Sequence, residues 1–126
     1  MAKLVTGGTG YIGAQAVHQL VNRDEEVVVF DIVINHDRIE GIEKKLKIVR
    51  GDLGNFNEVL NVIKDNKIEA IYHMGSLLSY MSDLNPWISF QTNVIGTYNV
   101  LEAARIFNVP KVMFTSTLCI NCHHFN

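Results

Sequence analysis

The segment Val5-Thr6-Gly7-Gly8-Thr9-Gly10-Tyr11-Ile12-Gly13 limits the possible folds more than any other stretch of the sequence. A short apolar run, Lys3-Leu4-Val5-Thr6, precedes it and reads as a strand ended by glycines. Apolar residues then recur at Ile12, Ala16, Val17, Leu20 and Val21, which is helical spacing, until Asn22-Arg23-Asp24 closes the segment. Glycines at 7, 10 and 13 therefore sit at a strand–turn–helix junction. There they permit a tight turn, close approach of the backbone to a pyrophosphate, and close packing of helix on strand. A helix amino end offers unpaired N–H groups and a partial positive charge of roughly half a unit. No Gly-Lys-Ser/Thr follows, so the loop is not the mononucleotide phosphate loop.

The rest of the chain continues the alternation. Val27-Val28-Val29-Phe30 is an unbroken apolar run, as expected of a strand covered on both faces. Residues 32–45 form a polar connection with a weak helix around Ile39–Lys44, and Leu46-Lys47-Ile48-Val49 reads as a third strand. Asn55 caps a helix to about Lys64, with Phe56, Val59, Leu60 and Ile63 on one stripe. Ala70–His73 is a fourth strand, Trp87 to about Asn108 a long helix opened by Pro86, and Lys111–Thr115 a fifth strand after Pro110. Strands separated by helices imply right-handed crossovers and a doubly wound α/β parallel sheet of about five strands. The expected spatial order is 3-2-1-4-5. Trp87, Ile88, Phe90, Val94, Ile95, Tyr98 and Leu101 are expected in the core or between helices.

Asp31 closes the second strand, where a carboxylate can accept from both hydroxyls of a ribose. It would repel a 2′-phosphate, and the nearest arginine in sequence is Arg38, so the expected ligand is NAD rather than NADP. Composition narrows the remaining choices. With 126 residues, a net charge of -2 and 19% charged residues, the chain is expected to form one domain and not to bind nucleic acid in general. No apolar run reaches the ~18 residues of a membrane span, and the apolar start is too short for a signal peptide, so a cytoplasmic location is expected.

These features together resemble the extended short-chain dehydrogenase/reductase family, the NAD-dependent epimerase/dehydratase family, from Lys3 to about Thr117. Gly7-x-x-Gly10-x-x-Gly13 has that family's spacing. Gly51-Asp52-Leu53 is similar to its adenine contact, and His73-Met74-Gly75-Ser76 to the turn that lines its cofactor. Asn93 to Ala104 resembles its long central helix, and Phe114-Thr115-Ser116-Thr117 the segment bearing its substrate-polarising hydroxyl. The resemblance implies an NAD-binding Rossmann domain over residues 1–118. Gly7, Gly10, Tyr11, Ile12, Gly13, Asp31, Ile32, Asp52, Leu53, Met74, Gly75, Ser76, Asn93 and Thr115 would lie at the cofactor, and Thr117 would be the catalytic hydroxyl. Each residue also has a plainer use. Asp52 could close a turn, His73 could be a satisfied structural histidine, Asn93 a polar group on a helix surface, and Thr115 to Thr117 ordinary strand-exit residues. Gly75 to Ser79 and Ser116-Thr117 are similar to the threonine dehydrogenase branch, while sugar-nucleotide epimerases share the same frame.

That family's chemistry also needs a Tyr-x-x-x-Lys pair, in which the lysine lowers the tyrosine pKa for proton transfer. Four residues after Tyr11, Tyr72, Tyr80 and Tyr98 stand Gln15, Ser76, Leu84 and Glu102. The chain ends nine residues past Thr117, short of a sixth strand, so it is expected to bind NAD without turnover, either as part of an enzyme that a second chain completes or as a non-catalytic NAD-binding or assembly module. The helix over residues 87–108, similar to the one the family uses for dimerisation, and an open fifth-strand edge imply a homodimer. The divergent tail, residues 119–126, spells Cys-x-x-Cys-His. Haem attachment, zinc binding, a redox pair and an unselected chain end all fit that spelling, and no metal site is assigned.

Overall fold

A computed structural model describes residues 1–116. Five parallel strands form one sheet in the order β3-β2-β1-β4-β5: β1 Ala2–Thr6, β2 Val27–Asp31, β3 Leu46–Arg50, β4 Ile68–His73 and β5 Lys111–Phe114. The order and the parallel pairing are those expected from the sequence. Helices α1 (Tyr11–Val21), α2 (Phe56–Asp65), α3 (Ser79–Leu84), α4 (Pro86–Phe90) and α5 (Gly96–Ile106) make every connection except that between β2 and β3.

Alternation along β2 assembles the core. Val27 and Val29 face α1, where they join Val5, Ala14, Val17, Leu20, Val21 and Ile39. Val28 and Phe30 face the other way, into a cluster with Leu4, Leu53, Ile71 and residues of α2 and α5. Every residue of β2 except Asp31 is buried, which accounts for its unbroken apolar run. Asn55 caps α2 as expected, its side chain accepting from the N–H groups of Asn57 and Glu58. The buried residues of α2 are Val59, Val62 and Ile63, with Phe56 and Leu60 packed at the rim.

Three expectations need correction. Residues 32–45 hold two 3₁₀ turns, His36–Ile39 and Glu43–Lys45, instead of one weak helix. The long helix is α4 joined to α5 through a π-helical turn, Gln91–Ile95. Its large apolar residues are not core: Trp87, Ile88, Phe90, Val94, Ile95, Tyr98 and Leu101 are all exposed, Trp87 at 63%. The buried stripe is Ser89, Gly96, Asn99, Val100, Ala103 and Ala104. Small residues let the helix approach closely. A β-carbon on Gly96 would stand 2.8 Å from Leu53 Cβ, and the Asn99 amide donates to the Leu53 carbonyl at 2.8 Å. Helix α3 was not foreseen, because it buries no residue and leaves no periodic trace.

Candidate functional site

Strand order reverses between β1 and β4, and a crevice opens at the carboxyl ends of the strands there, as doubly wound sheets require. It encloses about 380 Å³, lined by Gly7 and Gly10 of the glycine loop, the ends of β2 and β3, and the turn after β4, with Tyr11, Ile12 and Gly13 of the first helical turn outside the lining. The two turns touch across the reversal point. Gly7 has φ +63°, and a β-carbon on it would meet Gly75 Cα at 2.6 Å. A β-carbon on Gly13 would meet the Gly7 carbonyl oxygen at 2.0 Å, so α1 lies directly against the loop. Helix α1 starts at Gly10 with no side-chain cap. The first-turn N–H groups of Tyr11, Ile12 and Gly13 take no acceptor among the described residues, whereas Gly10 N–H and Ala14 N–H are used inside the loop. This is a bare, electropositive cradle of the kind that holds a diphosphate.

Asp31 stands at the crevice rim, and its carboxylate is already oriented. Oδ2 accepts from Thr9 N–H at 3.1 Å and from the Thr9 hydroxyl at 2.8 Å, and Oδ1 accepts from Ile32 N–H at 2.9 Å. Thr9 is thus a site residue that sequence reading missed. A hydroxyl between two loop glycines carries no signal until the β2 end is placed beside it. Arg38 is the nearest arginine in sequence, but strand register brings another beside Asp31. Arg50 is its register partner on β3, donating to the Ile32 carbonyl at 3.0 Å. Arg38 donates to the Thr9 carbonyl at 3.3 Å and lies over the Tyr11 ring.

Asp52 does close a turn: Oδ1 accepts from Gly54 N–H at 2.8 Å. It also lines the crevice beside Leu53, as do Gly7, Gly10, Ile32, Met74, Gly75 and Ser76. Gly51 and Leu77, parts of motifs the sequence pointed to, line it too, and the lining adds Phe30, Val33, Met81, Ile88 and Thr92, which the sequence did not connect with the cofactor. Asn93 is absent from the lining, and its amide is committed elsewhere. It accepts from Leu77 N–H at 2.7 Å and donates to the Leu77 carbonyl at 3.0 Å. Thr115 is exposed beyond the end of β5, also away from the lining. Thr117 and the cysteine–histidine tail lie outside the described residues. His73 is buried between Thr6 and Thr97, and burial pushes its ring pKa below the ordinary value. Among the described residues no three His, Cys, Asp or Glu side chains group to hold a metal, and no helix is long and apolar enough to cross a membrane.

A parallel sheet wound in this order, with a glycine cradle and a carboxylate at its reversal point, defines a doubly wound Rossmann-like domain. Residues 3–121 match the NAD dependent epimerase/dehydratase family, and the chain belongs to that family. A UDP-glucose 4-epimerase of Klebsiella pneumoniae is 32% identical over 127 residues, covering 95% of this chain and 91% of that sequence. The UDP-glucose 4-epimerase of Bacillus subtilis is 33% identical across 95% of this chain, but this chain spans only 38% of it. Among solved structures, the Thermus thermophilus UDP-glucose 4-epimerase in complex with NAD superposes with a TM-score of 0.84 at 32% identity. That match covers 93% of this chain and 38% of the other.

Proposed function

We propose that this chain is the NAD-binding part of an epimerase/dehydratase-type oxidoreductase whose substrate class is sugar nucleotides. The observation that carries the reading is the meeting of bare α1 amides, the Gly7–Gly75 contact and the pre-set Asp31 carboxylate at one crevice. In this reading residues 1–118 form the cofactor domain and residues 119–126 a tail. NAD would supply a hydride acceptor. The amides of Tyr11, Ile12 and Gly13 would hold its diphosphate. Asp31 would accept from the adenosine ribose, and Ile32, Asp52 and Leu53 would border the adenine. Met74, Gly75 and Ser76 would line the path toward the nicotinamide.

The match to sugar-nucleotide epimerases supports that substrate class over the threonine dehydrogenase-like one. No tyrosine of the sequence is followed four residues later by lysine, so the chain alone should bind NAD and turn nothing over. Calorimetric titration with NAD and NADP tests this. Saturable NAD binding, tighter than NADP, is expected, and a flat isotherm would remove the reading. A steady NADH signal from the purified chain with any sugar nucleotide or alcohol would remove the second half of it.

A specific feature favours assembly as well. Trp87 and Phe90 stack at 5.8 Å on an exposed apolar face that continues through Val94, Tyr98 and Leu101. Exposed faces of this kind mark contact surfaces. A homodimer through this helix or through the β5 edge, or a second chain at the active site, would use it. We place the protein in the cytoplasm.

A further inference from the structure

The turn after β4 is held in place by a chain of side-chain hydrogen bonds whose proton positions can be worked out. Thr97 Oγ1 donates its one hydrogen to the Asn93 carbonyl at 2.7 Å. The 2.9 Å contact between Thr97 Oγ1 and His73 Nε2 must then have the ring nitrogen as donor. A neutral ring protonated on Nε2 carries a lone pair on Nδ1. Thr6 Oγ1, at 2.7 Å, therefore donates to it. The hydrogen of Thr6 is then used, and its lone pairs accept from Met74 N–H and Gly75 N–H, each at 3.2 Å. Every donor points the same way, from Gly75 N–H through Thr6, His73 and Thr97 to the carbonyl of Asn93. Bonds aligned in this manner polarise one another.

The same Asn93 also grips Leu77 through both of its amide atoms. Gly75 and Leu77 are thus fastened to one residue by two routes, one through a buried imidazole and one direct. Asn93 and Thr97 belong to the π-helical turn and the start of α5, so that irregular turn is the anchor.

We infer that His73 is a positioning residue, held as the Nε2–H tautomer, which sets the Gly75–Leu77 segment against the glycine loop and thereby tunes ligand affinity in the crevice. The affinity part rests on the NAD-binding reading; the tautomer part does not. Among the described residues no titratable or charged side chain bonds the ring: its partners on β1 and α5 are Thr6 and Thr97. A proton added to Nδ1 would face Thr6 Oγ1, which would lose its acceptor while still receiving two N–H groups.

The test is long-range ¹H–¹⁵N spectroscopy of the imidazoles in the 126-residue chain near neutral pH, with His73→Gln assigning the His73 ring. His73 should show a protonated Nε2 and an unprotonated Nδ1. The opposite tautomer, or a doubly protonated ring, overturns the inference. Thr97→Val removes the acceptor for Nε2–H. It should weaken NAD binding about tenfold and speed exchange of the Gly75 amide by a similar factor. Thr97→Ser should restore both to within about twofold. Unchanged Gly75 exchange in Thr97→Val would also overturn it. If the wild-type chain binds no NAD, the functional reading fails, while the ring tautomer and the Gly75 exchange still decide this inference.

Discussion

Replacing Gly13 by alanine turns the close contact of α1 with the glycine loop into a measurable sign. In an ordinary helix interior this change stabilises by about 1 kcal/mol, because alanine has the better propensity. Here the new methyl would stand 2.0 Å from the Gly7 carbonyl oxygen and 2.8 Å from its carbon, both backbone atoms that cannot swing away. Relief requires α1 or the loop to move by more than about 1 Å, at the typical overpacking cost of about 1–3 kcal/mol. The Gly7 carbonyl also accepts from Gly10 N–H at 2.9 Å. Displacing it loses roughly another 1 kcal/mol. The net expectation is a loss of about 2 kcal/mol, opposite in sign to the propensity effect. Urea denaturation followed by circular dichroism measures it, with Gln15→Ala on the exposed side of the same helix as the control. That control should stay within about 0.5 kcal/mol of wild type. NAD affinity of Gly13→Ala should fall by at least about tenfold, because the first-turn amides move with the helix. A Gly13→Ala chain as stable as wild type, with unaltered NAD binding, would refute the close-contact argument.

Asp31→Ala should weaken NAD binding about tenfold and narrow the preference for NAD over NADP, since the carboxylate that would repel a 2′-phosphate is gone while Arg50 and Arg38 remain on neighbouring elements; an unchanged NAD/NADP ratio in calorimetry would contradict this. The lowered pKa of His73 carries a signed pH dependence. Between the folded and unfolded pKa values the unfolded chain binds more protons, so this contribution is complete above the unfolded value of about 6.5 and declines as pH falls. The stability advantage of wild type over His73→Gln should therefore narrow in urea titrations between about pH 7.5 and 5; a gap that widens would contradict it. For the apolar helix face, sedimentation should find wild type self-associating and a Trp87→Glu/Tyr98→Glu chain at least about tenfold weaker in association. A wild-type monomer at high concentration would count against the assembly surface.

Much of this architecture is legible in the residues, for identifiable reasons. The unbroken Val27–Phe30 run can be satisfied only between two helical layers, and Gly7, Gly10 and Gly13 fit only a close strand–helix turn. From these the strand order and the crevice follow. The long helix was misread because it carries two candidate faces. Its large residues, Trp87, Phe90 and Tyr98, suggest burial, yet the small ones, Gly96, Ala103 and Ala104, are what the sheet accepts. The site residues that were missed depend on tertiary placement. Arg50 meets the Asp31 position only once β2 and β3 are in register. Thr6, Thr9 and Thr97 look like filler in a strand, a loop and a helix, and acquire meaning only through their partners. The resemblance implies a cofactor contact at Asn93, and the bonds of its amide to Leu77 are visible only in the folded chain.

Amide chemical-shift mapping of the ¹⁵N-labelled chain during titration with NAD tests the central claim most directly. The account predicts saturable shifts concentrated at residues 7–13, 31–32, 52–53 and 74–77. Spectra left unmoved by NAD, or shifts gathered at the opposite end of the sheet around Lys44–Lys47, would contradict it.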